Sequence, residues 1–343
     1  NLAMPDNQHG DQGLLARGSL VLELDFSIEC HTPARLLHFD DMRDWRRQFT
    51  IFLNADFTLS VQVQQGHARS YVRLTEAPGA PTGKAKLVYS WDAPRRLGLL
   101  SLELPQVGAI HQAVFRDPIP MPLADAATIV FGHNPVTLDD RVCAMALSDR
   151  FEPVGPAPSI AAGALVETAA GLQPIENLKA GDMVQTAGSG MQAIRSVICS
   201  ELPALGYWAP VRLSAPYLGL SHDITVAQHQ RVMISGIEAE YNFGEDAVLI
   251  EAHQLTGLSA ATVLTGLNTQ KYYQILLDNH ECIRLSGAWS ESLFVGHLAR
   301  SPEVMATTRL ADMALSSVPV HDCFARPVLR DYESQTLLAA LSA

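Results

Sequence analysis

The character of this chain changes at Pro158-Ser-Ile-Ala-Ala-Gly-Ala-Leu-Val-Glu-Thr168, which continues after one turn as Gly171-Leu-Gln-Pro-Ile-Glu-Asn-Leu-Lys-Ala-Gly-Asp-Met-Val-Gln-Thr186. A small residue opens the segment, a short apolar strand follows, and Ala169-Ala170-Gly171 predicts a turn. A second turn, Ala180-Gly181-Asp182, leads into another short strand. The stretch therefore predicts tightly turned β structure.

The composition is that of a folded protein without affinity for polyanions. The 343 residues are 48% hydrophobic and 17% charged, which is enough chain for two domains with adequate cores. The 36 acidic and 24 basic side chains give a net charge of −12, which opposes binding to nucleic acid or to an anionic membrane surface. No apolar run is long enough to span a bilayer, so we expect no transmembrane segment. The oligomeric state is left open.

The cysteines do not form a recognisable pattern. They are widely spaced, odd in number and never in a Cys-x-x-Cys arrangement: Cys30, Cys143, Cys199, Cys282 and Cys323. This spacing argues against a zinc site or a disulfide framework. It predicts free, buried thiols and gives no reason to expect a metal or a cofactor.

The N-terminus, Asn1-Leu-Ala-Met-Pro-Asp6, lacks the basic and apolar regions of a signal peptide. Two locations therefore stay open. One is outside the cell by a route that uses no signal peptide, and the other is the cytoplasm.

Residues 18–148 show the period-two pattern of half-buried strands. Apolar and polar side chains alternate over residues 20–29, and a β-hairpin is predicted to run out from Phe49 and back to Val63. Three further strands are predicted between turns that contain proline or glycine, over 84–91, 99–104 and 127–131. This spacing predicts a sandwich of two antiparallel sheets.

The strand order, with Leu87-Val-Tyr-Ser-Trp-Asp92 before a polar turn and a leucine-rich strand, resembles the concanavalin-type jelly rolls also found in laminin G-like modules. Members of that fold often bind glycans, sometimes through calcium, so the resemblance makes a glycan the candidate partner. Four carboxylates are candidate calcium ligands, although their spacing favours solvated turn residues: Asp40, Asp41, Asp44 and Asp56. Trp45 and Trp91 are candidate sugar-stacking rings, but Trp91 shares a face with Leu87 and Tyr89 and is predicted to be buried.

Two later segments form one ordered pattern with the opening stretch. They read His222-Asp-Ile-Thr-Val-Ala-Gln-His-Gln-Arg-Val-Met-Ile234 and Tyr272-Tyr-Gln-Ile-Leu-Leu-Asp-Asn-His-Glu-Cys-Ile-Arg-Leu-Ser-Gly-Ala-Trp-Ser-Glu-Ser292. Together the three blocks resemble Hint domains, the self-processing modules of Hedgehog proteins and inteins, and most of all the bacterial Hint proteins. The resemblance covers roughly residues 158–296 and implies an all-β horseshoe fold.

The resemblance also implies a chemistry. In the family, a Cys or Ser at the start of the first block attacks the carbonyl before it, which makes Ser159 the nucleophile of an N–O acyl shift. In the second block a Thr or Ser, followed three residues later by a His, helps to bind the oxyanion and to protonate the leaving nitrogen. The ungapped match puts Ala227 and Gln230 at these positions. His229 is one residue out of register, so it faces the other way unless a bulge intervenes.

The remaining candidates lie in the second and third blocks. His280 matches the histidine of the third block, and a structural pairing with Glu281 or the backbone is its alternative role. The full candidate catalytic set is Ser159, Thr225, His229, Gln230 and His280. Ser221-His222-Asp223 resembles a triad in composition only, because neighbours on a strand point to alternate faces. Ser292 stands where an intein has its terminal Asn, so complete splicing is not expected.

The sequence thus predicts a two-domain all-β protein: a concanavalin-like jelly-roll sandwich, a Hint-type β horseshoe and a C-terminal helix that begins near Pro327. The predicted boundaries are an N-terminal segment (1–17), the sandwich (18–150), a proline-rich linker (151–158), the Hint domain (159–300) and a C-terminal extension (301–343). Two functions stay open. One is slow or degenerate self-processing through an ester at Ser159, and the other is a non-catalytic Hint scaffold that carries a carbohydrate-binding or adhesion sandwich.

Overall fold

A computed structural model describes residues 13–29, 31–75, 83–132 and 134–341 of the chain. Most of the N-terminal segment 1–17, together with Cys30, lies outside the described residues. The chain divides into two compact units, and the division falls between Gly155 and Pro156, inside the proline-rich stretch.

The first unit consists of antiparallel strands and one short helix, α1 (Leu123–Phe131). Its strands within the described residues are β1 (Leu14–Leu15), β2 (Arg17–Asp25), β3 (Ala34–Asp41), β4 (Arg47–Leu53), β5 (Leu59–Gln65), β6 (Ala68–Leu74), β7 (Lys84–Asp92), β8 (Leu97–Leu104), β9 (Ala109–Arg116), β10 (Met121–Pro122), β11 (Val136–Leu138) and β12 (Val142–Ser148).

Two five-stranded sheets build the core of the first unit. One has the order β11-β3-β4-β5-β6 and the other the order β12-β2-β7-β8-β9, while β1 pairs with β10. Alternate residues of both sheets meet in one apolar core, in which Leu22, Ile51 and Trp91 are fully buried. Each such side chain contributes about 1.5–3 kcal/mol of transfer free energy. The sandwich predicted from the period-two pattern is confirmed.

Trp91 is the buried aromatic that the sequence predicts. Its indole Nε1 donates to the carbonyl of Leu15 (3.0 Å), and its ring lies beside that of Tyr89. A Cβ on Gly18 would come within 2.7 Å of the Trp91 ring, so glycine leaves the ring its space. Trp45, by contrast, is 53% exposed in the turn between β3 and β4.

The predicted strand over 127–131 is wrong, because these residues form the second half of α1. Gly132, at φ 62°, ends the helix in the left-handed conformation and donates its N–H to the carbonyl of Ile129 (3.2 Å). A short apolar run does not by itself distinguish a strand from a buried helix. Here Gly132, at the end of the run, favours the helix.

The second unit contains two antiparallel sheets and three α-helices, α2 (Ile237–Phe243), α3 (Pro302–Met305) and α4 (Asp331–Leu341), within the described part of the chain. Its strands are β13 (Ile160–Ala161), β14 (Leu165–Thr168), β15 (Gly171–Pro174), β16 (Met183–Thr186), β17 (Gly190–Ala193), β18 (Ser196–Pro203), β19 (Pro210–Leu213), β20 (Ile224–Ala227), β21 (Arg231–Ser235), β22 (Ala247–Glu251), β23 (Ala261–Val263), β24 (Thr269–Leu276), β25 (Cys282–Leu285) and β26 (Ala288–Glu291). Short 3₁₀ turns lie at Ile175–Asn177, Gly206–Trp208, Tyr217–Gly219, Ala252–Gly257, Leu298–Arg300 and Leu315–Ser317.

The short strand β13 lies inside the six-stranded sheet, whose order is β18-β24-β13-β20-β19-β23. Ile160 pairs with Val226 on one side and with Tyr273 on the other. The second sheet has the order β15-β14-β16-β25-β26-β21-β22, and β17 pairs with β16. Because β20 and β21 belong to different sheets, the chain crosses from one sheet to the other at residues 228–230, directly after the strand that pairs with β13.

The predicted C-terminal helix is confirmed, but it begins at Asp331 and not near Pro327. The carbonyl of Pro327 accepts the N–H of Leu249 (2.8 Å), and Leu329 N–H donates to the carbonyl of Leu249 (2.9 Å). Residues 327–329 are therefore held alongside β22 in a short parallel bridge, and the helix can start only after them. Leu337 of α4 is fully buried in the core of the second unit.

The four cysteines in the described residues are all free. Cys282 is buried, whereas Cys143, Cys199 and Cys323 are exposed, so the predicted burial is wrong for these three. Their strands and loops present a surface side at these positions, which spacing along the sequence does not reveal.

Neither a membrane-spanning helix nor a metal-binding cluster is found among the described residues. No helix among them has the length and apolar character needed to cross a bilayer. No three His, Cys, Asp or Glu side chains in this part of the chain are grouped so that they could hold a metal ion.

The contacts of the connector set the end of the first unit. Ser19 Oγ donates to the carbonyl of Arg150 (2.8 Å) and accepts the N–H of Glu152 (2.8 Å).

We expect residues 1–155, expressed alone, to melt cooperatively as a soluble β protein. A fragment that ends at Ser148 should be less stable by about 2 kcal/mol, because it loses these two hydrogen bonds. Urea unfolding followed by tryptophan fluorescence measures both, and an unfolded or aggregated longer fragment would contradict the boundary.

Candidate functional site

Ser159 lies between two strands of the six-stranded sheet, with 2% of its surface exposed. Its N–H donates to the carbonyl of Tyr273 in β24 (3.3 Å), and its carbonyl accepts the N–H of Ala227 at the end of β20 (2.7 Å). The backbone of Ser159 is thus fixed on both sides, so the sheet sets the direction of its side chain.

Two buried glutamines surround the hydroxyl of Ser159. The hydroxyl donates to Oε1 of Gln230 in a short hydrogen bond. Nε2 of Gln274 donates to Ser159 Oγ (3.1 Å) and to Oε1 of Gln230 (2.9 Å). The partners of the hydroxyl are therefore neutral amides, which neither take up nor release protons near neutral pH.

The far end of Gln230 connects Ser159 to the last block. Its Nε2 donates to Ser290 Oγ (2.7 Å) and lies 3.1 Å from the carbonyls of both Arg231 and Glu291. These acceptors require an amide nitrogen, so they assign the orientation of the side chain and turn Oε1 toward Ser159. A buried network with every member paired is rigid, because each group would lose its partner on moving.

The turn at 228–230 brings Gln230 against Ser159 and turns His229 away. The His229 ring stacks on Tyr207, with centroids 3.8 Å apart and an interplanar angle of 5°, and its Nδ1 lies 2.9 Å from the Tyr207 carbonyl. Ala227 is fully buried and offers only a methyl group where the resemblance to Hint domains implies a hydroxyl. Thr225 is half-buried opposite Arg212 in β19 and is not a hydrogen-bond partner of Ser159.

The residues Ser221, His222 and Asp223 do not form a catalytic chain. Ser221 Oγ donates to the carbonyl of Ser286 (2.8 Å) and contacts His222 Nδ1 (3.0 Å). Asp223 instead accepts the N–H of Ala215 (2.9 Å). The carboxylate is therefore not available to orient the imidazole.

His280 has a fixed tautomer. Its Nδ1 lies 2.9 Å from the N–H of Ala325, and a backbone N–H can only donate, so Nδ1 carries no proton. The proton is on Nε2, which donates to the carbonyl of Ser292 (3.1 Å) and lies 3.4 Å from Glu291 Oε2. Glu281, the alternative partner expected from the sequence, accepts the hydroxyl of Ser189.

Glu291 joins His280 to a buried ion pair. Its Oε2 lies 3.1 Å from Arg231 Nη1, and its Oε1 accepts the backbone N–H of Arg231 (3.3 Å). Burial opposes ionisation of Glu291, but the charge of Arg231 and the hydrogen bond from His280 outweigh it and hold the pKa of the carboxyl below its ordinary value. Burial likewise opposes the charge on Arg231, and the negative charge of Glu291 outweighs it and raises the pKa of the guanidinium.

Sequence reasoning missed three residues of this site: Gln274, Arg231 and Glu291. All three lie inside the sequence blocks quoted above, and Glu291 belongs to the Glu-Ser pair that ends the third block. Their polar side chains in otherwise apolar strands were the available signal.

His321 is a second buried histidine beside His280. Its Nδ1 accepts the N–H of Val295 (3.3 Å), and its Nε2 donates to the carbonyl of Leu277 (3.2 Å). Burial lowers the pKa of His321 to about 4. The unfolded chain protonates this imidazole near its ordinary pKa of 6.5, so between these values the unfolded state binds the extra proton.

We therefore expect the free energy of unfolding of the second unit to fall by about 2–3 kcal/mol as the pH drops from about 6.5 to about 4. The contribution of Glu291, whose pKa is lowered, is lost only as the pH falls further. Urea unfolding at a series of pH values measures the slope, which His321→Asn should flatten and His222→Asn, at an exposed histidine, should leave unchanged. An equal slope in wild type and His321→Asn would contradict the assignment.

Residues 158–297 match the sequence model of the Hint domain family. No curated protein matches the chain.

Three solved structures illustrate the structural similarities. The bacterial intein-like domain from Clostridium thermocellum is 14% identical and covers 40% of this chain and 99% of its own, with a TM-score of 0.29. The CBM40 of a Ruminococcus gnavus IT-sialidase, bound to α2,3-sialyllactose, is 12% identical and covers 39% of this chain and 76% of its own, with a TM-score of 0.27. The LG1–3 region of the laminin α2 chain is 10% identical and covers 84% of this chain and 54% of its own, with a TM-score of 0.29.

The family match includes all three sequence blocks that the site draws on, and it ends before the C-terminal extension. Residues 158–297 are therefore a Hint domain.

Proposed function

We propose that this protein carries a Hint self-processing domain in which the N–O acyl shift at Ser159 is degenerate or very slow, so that the Pro158–Ser159 bond stays intact. The observation that carries the proposal is the hydrogen bond from the Ser159 hydroxyl to Oε1 of Gln230, closed on its other side by the amide of Gln274.

The acyl shift makes three demands on the site. Ser159 Oγ must lose its proton as it bonds to the carbonyl carbon of Pro158, and the carbonyl oxygen must be stabilised as an oxyanion. The C–N bond then breaks, and the nitrogen of Ser159 leaves with a proton as a free amine, which gives an ester. The peptide bond is resonance-stabilised, so each demand must be met by a positioned group.

The first demand needs a base at the hydroxyl. Oε1 of Gln230 accepts the hydrogen bond but does not take the proton, because an amide oxygen is too weakly basic. A serine hydroxyl is also far less acidic than a cysteine thiol, whose pKa is roughly 8.5, so it depends more on a base. Within the described residues, the hydrogen-bond partners of Ser159 include no titratable side chain.

The last demand needs an acid at the leaving nitrogen. The N–H of Ser159 donates to the carbonyl of Tyr273, and a carbonyl cannot return a proton. The nearby strand end offers the methyl group of Ala227 instead of a hydroxyl. Since the loss of one positioned acid or base costs on the order of 10² to 10⁴ in rate, the fold is left almost inert.

Mass spectrometry of the freshly purified protein, with and without hydroxylamine at neutral pH, tests this proposal. We expect intact chain in both samples, because no ester is present for hydroxylamine to trap. Prompt cleavage between Pro158 and Ser159 in the unmodified protein would overturn the proposal.

Restoring the missing groups tests whether their absence is the cause of the low reactivity at Ser159. Ser159→Cys alone should cleave little, whereas its combination with Ala227→Thr and Gln230→His should cleave at least about 100-fold faster, because the groups act as a unit. The matched control replaces Gln230→His by Gln228→His, which adds the same imidazole two residues away. Equal rates in the two triple variants would show that the position of residue 230 is not the cause.

For the first unit we propose glycan binding as a second function, supported by the outer face of its β11-β3-β4-β5-β6 sheet. The cross-strand register places one polar row over all five strands, formed by Thr137, His38, Thr50, Gln62 and Tyr71. Thr50 is fully buried and its hydroxyl lies 2.9 Å from His38 Nδ1, so the other four side chains are the ones that could contact a ligand. The Tyr71 ring is 60% exposed at the end of this row. Hydroxyl, amide and imidazole groups beside an exposed ring suit a polyhydroxylated ligand, because the ring can stack on a sugar while the row forms hydrogen bonds.

Calcium is not part of this second proposal. Asp41 is paired with Arg43 (2.6 Å) and Arg47 (2.7 Å), Asp40 with Arg46 (3.0 Å), and Asp56 with Arg73. Arginine already neutralises these carboxylates, so they do not offer a cation an anionic cage.

A melting assay with a broad panel of glycans tests the second function. A bound glycan should raise the melting temperature of the first unit, and EDTA should not change that rise. Tyr71→Ala should abolish the effect, while Val114→Ala, an exposed position on the other sheet, should preserve it. Melting that no glycan of the panel changes would remove the support for this function.

A further inference from the structure

The C-terminal extension reaches into the last block of the Hint domain. The family match ends at residue 297, yet the backbone N–H of Ala325 donates to His280 Nδ1 at 2.9 Å. The Phe324 ring lies 4.1 Å from that of Phe294 and 5.6 Å from that of His280, between centroids. Residues beyond the family boundary therefore supply part of the surroundings of the block histidine.

The same segment closes the buried ion pair. The guanidinium carbon of Arg231 lies 4.7 Å from the centroid of the Phe324 ring, in cation–π geometry. The side chains of His280, Arg231 and Glu291 keep 0%, 6% and 10% of their surface exposed. A charged pair with so little access to water needs neighbouring groups that supply polar or π contacts, and the Phe324 ring is one of them.

His321 anchors the start of this segment. Its two ring nitrogens bond the backbone at Leu277, inside the third block, and at Val295, just after it. The end of the segment is anchored by Pro327 and Leu329, both bonded to the backbone of Leu249 in β22. The segment between the anchors is thus held against His280 from both ends.

We propose that residues 321–325, which we call the C-terminal plug, act as an internal ligand that positions His280. Ala325 is the positioning residue: its N–H occupies Nδ1, so the proton of His280 stays on Nε2 and is directed at the carbonyl of Ser292. The plug thereby fixes His280 as a hydrogen-bond acceptor at Nδ1 and a donor at Nε2. This inference rests on the proposed function, because it explains why the last-block histidine does not serve as a base there.

The charged and titratable groups around His280 are few. Glu291 and Arg231 face it from β26 and β21, and His321 faces it from the plug with centroids 5.9 Å apart. None of these side chains donates to Nδ1, whose donor is the N–H of Ala325. The tautomer is therefore set by this donor at Nδ1 together with the two acceptors at Nε2, the Ser292 carbonyl and the Glu291 carboxylate.

The test is carried out on the full chain, labelled with ¹⁵N and observed by NMR. In the wild type, the ring nitrogens of His280 should show a single Nε2–H tautomer, and a scalar coupling across the hydrogen bond should link Nδ1 to the amide nitrogen of Ala325. This measurement needs no variant, and a protonated Nδ1 or a missing coupling would overturn the proposal.

Two matched variants then separate positioning from packing. Ala325→Pro removes the donating N–H, and Ala325→Gly keeps it while also losing the methyl group of alanine. We expect Ala325→Pro to shift the Nδ1 signal and, because the ring is no longer held at Nδ1, to weaken the hydrogen bond from Nε2 to Ser292, whereas Ala325→Gly should keep the wild-type pattern. Wild-type ring-nitrogen signals in both variants would show that the plug is only packed against the ring.

The outcome is distinguishable from that of the proposed function. If hydroxylamine cleaves the unmodified chain while His280 keeps its Nε2–H tautomer, the proposed function fails and the role of the plug stands. If the chain stays intact while Ala325→Pro leaves the ring-nitrogen signals of His280 unchanged, the plug fails and the proposed function stands.

Discussion

A hydroxyl that is buried must be hydrogen-bonded, and at Ser159 this requirement is met by amides. Leaving the group unpaired would cost about 1–3 kcal/mol, so a partner inside the second unit is obligatory. Gln230 accepts from the serine with one end of its side chain and donates to the last block with the other. A neutral imidazole in this place could remove the proton of the serine but could not offer the two N–H bonds of an amide. The buried amides therefore hold the Ser159 hydroxyl in one geometry but cannot take up its proton.

Glu291 shows how the parts of the site depend on each other. Its backbone carbonyl receives the amides of Gln230 and Gln274, while its carboxylate holds Arg231 and His280. One residue thus joins a neutral network on one side to a charged cluster on the other. Removing one partner of a buried ion pair typically costs about 3–5 kcal/mol. The charged cluster therefore holds Glu291 in place for the amide network only while Arg231 and Glu291 are both present.

The sequence predicted those features that follow from local periodicity or from a motif. Alternation gave the sandwich and the burial of Trp91, and the second block placed residue 230, not 229, in register with the nucleophile. Prediction from the sequence failed where contacts between distant residues determine the structure. The start of α4 depends on a bridge to Leu249, and Gln274 is drawn into the site by strand pairing with β13. Such contacts join residues far apart in the chain, and no local window records them.

The bridge at Val328 also has a consequence for the order of synthesis. The strands of the first unit are complete when the ribosome has passed Gly155, whereas the second unit is closed by a residue near the end of the chain. At about 5–20 residues per second, roughly 10–35 seconds separate the two events. During this interval Ser159 emerges without β20 and β24 beside it, as an ordinary serine on a nascent chain. The network around Ser159 is therefore completed only after Gln274 and Ser290 have been synthesised, when the preceding unit has had time to fold.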